Sequence, residues 1–116
     1  MRESTVAVST RSVSKITVLL VVTGTVDYGN YDTVVRAAEA ALDEGLSQQV
    51  VDLSGVHLCD SSGLRALLVM QRHARERGGW LRLAAPSNAV ATVLGVTGLD
   101  RALPVYDALD AALPDD

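Results

Sequence analysis

From residue 14 onward, segments typical of buried strands alternate with segments typical of amphipathic helices, and this alternation constrains the fold more than any other feature. The stretch SKITVLLVVTG is apolar and rich in β-branched residues, as expected of a strand covered on both faces. From Tyr31 to Glu44 the apolar residues instead recur at helical spacing. Because strand–helix–strand units form right-handed crossovers between parallel strands, the chain predicts an α/β domain.

The remaining segments extend this pattern to the order β-β-α-β-α-β-α-β-α. Val6 and Val8 alternate with polar residues in an exposed first strand, and residues 50–53 form a short strand that Gly55 loosens. A second helix begins at Ser61 or Ser62. WLRLAA predicts another strand, PSNAVATVLGVTG a third helix capped by Ser87, ALPVY a last strand and DALDAAL a last helix. We therefore expect one domain over residues 1–116, with its core at about 6–113 and helices packed on a mixed, mostly parallel sheet.

Composition excludes several classes of function. With 48% hydrophobic and 21% charged residues, the 116-residue chain can bury a single core. A net charge of −4 disfavours a protein that binds nucleic acid, and the cluster of Arg72, Arg75 and Arg77 is better explained as a solvated helix face. The longest fully apolar run, VLLVV, is far too short to span a membrane, and MRESTVAVST lacks the apolar stretch of a secretory signal. We expect a cytoplasmic protein that binds neither nucleic acid nor membranes.

Histidine and cysteine offer little chemistry in this chain. His57 and His73 lie far apart in sequence with only Cys59 nearby, which is not an adequate set of zinc ligands. The single cysteine cannot form an intramolecular disulfide, and its place at the end of an apolar strand predicts a core residue. We expect no metal site and no cofactor.

The junction HLCDSSGLRALL carries more hydroxyl and carboxylate groups than a helix start requires. Asp60, Ser61 and Ser62 can each accept a hydrogen bond from the free N–H groups of the following helix, and Gly63 permits close backbone approach. One interpretation is therefore a helix cap. The other is a phosphoserine in the first turn, where the positive end of the helix stabilises an anion. The local sequence leaves both open.

The longer segment VVDLSGVHLCDSSGLRALLVMQRHARERGGWLRL resembles the STAS domains of bacterial anti-sigma factor antagonists. These domains have an apolar strand, a DLS turn and then D-S-(S/T/A)-G-L at the start of a helix. TGLDRALPVYDALDAAL is similar to the closing segment of the family, and VTGTVD stands where the family usually has Gly-Glu-Leu/Ile-Asp. The resemblance spans roughly residues 6–113 and implies a STAS-like fold.

The resemblance also implies a function. Members bind an anti-sigma factor serine kinase, which releases a sigma factor, and the kinase phosphorylates the hydroxyl residue directly before the glycine. Here that residue is Ser62, whose phosphorylation is expected to switch the antagonist off until a phosphatase removes the phosphate. The chain would then be a substrate of its partner kinase and not an enzyme.

The same resemblance assigns a partner-binding surface. Asp60 is expected to orient the loop, Ser61 to help in capping, and Asp27 to support the site from the loop after the second strand. Thr25 replaces the usual glutamate of the family, and YGNY is an atypical loop in which Asn30 remains as a helix cap. The residues expected to contact the partner are Asp27, Asp60, Ser61, Ser62, Gly63, Leu64 and Arg65.

Two other functions are compatible with this fold. The domain could be a STAS scaffold or an accessory subunit of a stress-signalling or transport complex, without a phosphoswitch. It could also bind a nucleotide directly, although no glycine-rich phosphate loop is present.

Overall fold

The elements of the chain follow the predicted order of strands and helices. The structure is a computed structural model that describes residues 5–115, so residues 1–4 and 116, at the ends of the predicted domain, lie outside the described residues. The elements are β1 (Val6–Ser12), β2 (Thr17–Val26), α1 (Tyr31–Asp43), β3 (Gln48–Cys59), α2 (Ser61–Glu76), β4 (Trp80–Ala84), α3 (Asn88–Thr97), a 3₁₀ helix (Leu99–Arg101), β5 (Val105–Tyr106) and α4 (Leu109–Ala112). The 3₁₀ helix was not predicted.

The five strands form one sheet in sequential order, from β1 at one edge to β5 at the other. β1 pairs antiparallel with β2, and every later pair is parallel. This arrangement confirms the predicted mixed, mostly parallel sheet. Because β2, β3 and β4 run in the same direction, their carboxyl ends and the loops that follow them lie along one edge of the sheet.

Side chains alternate between the two faces of the sheet and fill two cores. Val18, Leu20 and Val22 of β2 belong to the larger core, which α1, α2 and α3 cover. Leu19 points to the other face and packs in a smaller core with Ala112 of α4. β2 is therefore buried on both faces, as its continuous apolar sequence predicts.

An arginine holds the last helix against the smaller core. The Arg82 guanidinium lies 3.9 Å from the centre of the Trp80 ring and 5.6 Å from that of Tyr106. It also donates a hydrogen bond of 3.1 Å to the carbonyl of Ala112. These contacts stabilise α4, which has only four residues and would not form alone.

β3 is longer than the short strand predicted for residues 50–53. It continues past Gly55 to Cys59, and two bulges in its pairing with β2 absorb the extra residues. Each bulge shifts the register by one residue, the first between Val21 and Thr23 and the second between Gly24 and Thr25. The strand thus delivers the chain directly to the start of α2.

The helix ends follow the sequence signals in most places. Gly45 and Gly98 adopt left-handed φ angles of +87° and +77° where α1 and α3 end. The Ser87 hydroxyl accepts a hydrogen bond from the N–H of Val90, which confirms it as the cap of α3, and donates another to the carbonyl of Val56 at 2.7 Å.

Within residues 5–115, no helix combines the length and apolar character needed to cross a membrane.

Candidate functional site

Asp60 fixes the start of α2 relative to the end of β2. One carboxylate oxygen accepts a hydrogen bond of 3.0 Å from the N–H of Gly63, which makes Asp60 the N-cap of the helix. The other oxygen accepts a bond of 3.2 Å from the N–H of Tyr28 in the loop after β2. The Asp60 N–H donates to the carbonyl of Val26 at 3.1 Å. One side chain therefore joins two loops at the carboxyl edge of the sheet.

The loop between β2 and α1 is held by its own side chains. The side-chain oxygen Oδ1 of Asn30 accepts a hydrogen bond of 2.9 Å from the N–H of Asp27, and the side-chain Nδ2 donates one of 2.8 Å to the backbone carbonyl of Thr25. Asn30 occupies the N-cap position of α1 but makes no capping bond with its side chain, so its predicted capping role is wrong. The Asp27 carboxylate accepts from the N–H of Gly29 at 2.9 Å and orders the same loop.

The two serines occupy the first turn of α2 and differ in exposure. Ser61 is exposed, whereas Ser62 is half-buried. In the part of the chain that the structure describes, neither hydroxyl forms a hydrogen bond with the protein, because the Asp60 carboxylate already fills the capping role. The cap therefore does not explain why two hydroxyl groups stand at this junction.

A groove with a volume of about 480 Å³ opens beside Ser62, between the amino-terminal halves of α1 and α2. The rings of Tyr28 and Tyr31 stack at its rim, with centres 6.2 Å apart and planes inclined by 16°. Although it stacks on Tyr31, Tyr28 is 80% exposed, so most of its side chain faces solvent. The residues that line this α1–α2 groove are Tyr28, Tyr31, Asp32, Val35, Ser62, Arg65, Ala66 and Val69.

Sequence reasoning missed the tyrosines of this groove. Tyr28 lies in the loop after β2 and Tyr31 begins α1, so both are about thirty residues from Ser62 in the chain. A signal was available, because the loops that follow neighbouring parallel strands meet at one edge of the sheet. The sequence YGNY by itself predicts only an atypical loop.

Gly63 and Leu64 are buried, although both were expected to contact the partner. A Cβ atom at Gly63 would lie 2.6 Å from the sulfur of Cys59 and 3.0 Å from the carbonyl of Val26, so only glycine lets α2 approach the sheet this closely. Any contribution of these two residues to binding comes through the backbone that they position. Arg65, the next residue, is exposed and lines the groove.

Cys59, the last residue of β3, is buried against Gly63 in the first turn of α2. Its side chain packs in the larger core and is 7% exposed, which confirms the predicted core position. Burial, followed by the negative charge of Asp60, raises the pKa of the thiol from its ordinary 9.0 to about 11. The sulfur therefore stays protonated and unreactive.

The two histidines lie on different elements, His73 on α2 and His57 on β3. His73 of α2 places Nδ1 3.0 Å from Oε1 of Glu39 on α1, and this contact links the two helices. His57 is exposed on β3. Among residues 5–115, no group of three or more His, Cys, Asp or Glu side chains is arranged to hold a metal ion.

The fold and this junction define a small α/β module that presents unengaged hydroxyl groups at the start of one helix. Residues 9–113 match the family model described as "Mlab, STAS domain", which covers most of the chain. The chain therefore belongs to the STAS domain family.

Relatives and solved structures agree with this membership. A Thermotoga neapolitana protein, named as a candidate anti-sigma factor antagonist, is 32% identical over 72 residues, which span 62% of this chain and 64% of the relative. An anti-sigma factor antagonist from Mycobacterium paratuberculosis superposes with a TM-score of 0.81 at 24% identity, over 93% of this chain and 91% of that one. The phosphorylated form of the Bacillus cell fate determinant SpoIIAA superposes with a TM-score of 0.69 at 20% identity, over 90% and 96%. At these identities, the structural likeness shows a shared fold.

Proposed function

We propose that this chain is an anti-sigma factor antagonist that binds an anti-sigma factor serine kinase and thereby frees a sigma factor. Membership of the STAS family and the names of its relatives support this assignment. In this proposal the chain performs no chemistry of its own. It acts through a surface that the partner kinase recognises and can modify.

The observation that carries the proposal is the free state of the Ser62 hydroxyl. Asp60 caps α2, so neither serine is needed for that purpose. Ser62 also lies at the α1–α2 groove, where another protein can reach it. A hydroxyl that the fold leaves unused, beside a groove at the positive end of a helix, is well suited to accept a phosphoryl group.

The proposed switch is a local change of charge. The kinase transfers the γ-phosphoryl group of ATP to the Ser62 oxygen, the hydroxyl proton is released and ADP leaves. Phosphate in the first turn of α2 adds about −1.5 to −2 charges to a surface that must pack against the kinase. A coupling of about 1–3 kcal/mol between phosphorylation and binding lowers affinity by roughly 5- to 150-fold. A phosphatase that removes the phosphate restores binding.

The groove rim and the loop after β2 form the rest of the proposed docking surface. Ser61 and Arg65 are exposed on α2, and Asp27 orders the loop that carries Tyr28. Leu58, 57% exposed at the end of β3, adds an apolar contact on the same edge of the sheet. Tyrosine and arginine are enriched among the residues that dominate the energy of binding, so Tyr28 and Arg65 are the expected anchors of this surface.

Label transfer tests the proposal directly. Purified serine kinases of the anti-sigma factor class from the same organism are incubated with ATP and the chain, and the modified position is mapped by mass spectrometry. We expect Ser62→Ala to abolish incorporation, whereas the matched variant Ser61→Ala retains it. Equal phosphorylation of Ser62→Ala and the unaltered chain would exclude Ser62. Stable binding of the chain to a stress-signalling or transport complex, without any phosphorylation, would instead favour an accessory subunit that has no phosphoswitch.

A further inference from the structure

Ser62 and Arg65 lie on the same face of α2 and line the same groove. Residues three positions apart in a helix are neighbours on its surface, with Cβ atoms about 5–6 Å apart. Both side chains border the α1–α2 groove, and Arg65 is exposed. An arginine side chain is long enough to reach a group attached to the serine oxygen from this position.

Arg65 has no acidic partner in the part of the chain that the structure describes. The guanidinium groups of Arg36 and Arg77 instead form ion pairs with Asp32 and Asp43, at 2.7 and 2.9 Å. The positive charge of Arg65 therefore remains available at the groove.

The other charged groups around Ser62 are already engaged. Asp32 faces the groove from α1, and its carboxylate is paired with Arg36. The Asp60 carboxylate accepts two backbone N–H groups, and the Asp27 carboxylate accepts one. Among the described residues that line the groove, Arg65 is therefore the one cation that a phosphate on Ser62 can pair with.

We propose that Arg65 clamps the phosphate of phosphorylated Ser62 in the α1–α2 groove. This inference rests on the proposed function and adds a second part to the switch. Phosphorylation then both introduces negative charge and withdraws the Arg65 guanidinium from the docking surface. Arginine suits this role because its planar group forms paired hydrogen bonds with phosphate oxygens.

The titration of the phosphate itself tests the clamp. Phosphoserine is installed at position 62 during translation, and its second ionisation is followed by ³¹P NMR. A neighbouring cation stabilises the dianion and lowers that pKa, so we expect Arg65→Gln to raise it by about half a unit or more. Arg65→Lys, which keeps the charge, should stay closer to the unaltered phosphoprotein. Arg72→Gln is the matched control, because Arg72 is exposed on the same helix but does not line the groove.

The results separate the clamp from the proposed function. A phosphate that titrates identically in the unaltered, Arg65→Gln and Arg72→Gln phosphoproteins would overturn the clamp. A rise in Arg65→Gln alone would support it. Because phosphoserine is installed without a kinase, neither result depends on whether a kinase modifies Ser62. Circular dichroism checks that each variant is folded, and Arg65→Lys gives an independent comparison.

Discussion

The carboxylate of Asp60 accepts a hydrogen bond of 3.2 Å from the backbone N–H of Tyr28, 32 residues earlier in the chain. Through this bond the helix that carries the serines is tied to the loop that carries the exposed tyrosine. The two loops follow neighbouring parallel strands and so reach the same edge of the sheet. Asp60 therefore sets both the start of α2 and the shape of the groove beside Ser62.

Replacing Asp60 should weaken the fold at this junction. Asp60→Ala removes the cap of α2 and leaves the Tyr28 N–H without its acceptor, and we expect the free energy of unfolding to fall by about 1–2 kcal/mol. Asp60→Asn should cost less, because its single carbonyl oxygen can still cap the helix. Urea denaturation measures both, with exposed Asp107→Ala as the control. Equal stability of the Asp60→Ala and Asp107→Ala variants would contradict the role assigned to Asp60.

Adding a methyl group at Gly63 should push α2 away from the sheet. The new Cβ would lie 2.6 Å from the Cys59 sulfur, and overpacking of this kind costs about 1–3 kcal/mol. A double-mutant cycle isolates this contact: Gly63→Ala should lower the free energy of unfolding less in the Cys59→Ala background than in the unaltered chain. Gly95→Ala is the control in an open helical position, where the nearest heavy atom is Asp100 Oδ2 at 3.8 Å, and it should be neutral or stabilising. An additive cycle would show that the contact with sulfur is unimportant.

The Cys59 thiol should react slowly in the folded protein. With its pKa raised to about 11, it holds about a hundredfold less thiolate at pH 8 than an ordinary cysteine of pKa 9.0. Alkylation by iodoacetamide at pH 8 should therefore be at least that much slower in the native protein than in urea. Similar rates in the two conditions would contradict the burial of this thiol.

The raised pKa of the Cys59 thiol also predicts how the free energy of unfolding depends on pH. The folded state holds the thiol proton more tightly than the unfolded state, so the contribution of Cys59 is complete below pH 9 and is lost as pH rises towards 11. Cys59→Ala should show a shallower decline of unfolding free energy across this interval than the unaltered chain. Parallel declines would mean that the thiol titrates alike in both states.

Asn30 should be required for the loop that shapes the groove. Asn30→Ala removes bonds to the N–H of Asp27 and the carbonyl of Thr25, with an expected loss of about 1–2 kcal/mol. Asn88→Ala, at an exposed asparagine that begins α3, provides the control. Exchange of the backbone amide hydrogen of Asp27 should be faster in Asn30→Ala than in the unaltered chain, and it should stay slow in Asn88→Ala. Unchanged protection at Asp27 would show that the loop is held by other contacts.

Local patterns predicted most of the fold. The strand and helix order, the two-sided burial of β2, the Ser87 cap and the glycine at Gly45 each depend on residues close together in sequence. The approximate start of α2 was also predicted from the junction motif. Such features follow from periodicity and from the hydrogen bonds that helix ends require.

The features that were missed depend on contacts between distant segments. The length of β3 depends on bulges in its pairing with β2, which no local pattern in β3 reveals. Asn30 bonds within its loop instead of capping α1, and the burial of Leu64 reflects how α2 lies on the sheet. The α1–α2 groove forms where the starts of α1 and α2 come together, and this depends on the pairing of β2 with β3.

The affinity of the partner kinase for two forms of the chain, one with serine and one with phosphoserine at position 62, tests the central claim most directly. Isothermal titration calorimetry on both forms gives the two dissociation constants under one set of conditions. The proposed switch predicts that the phosphorylated form binds at least about fivefold more weakly. Equal affinity of the two forms for the kinase would contradict it.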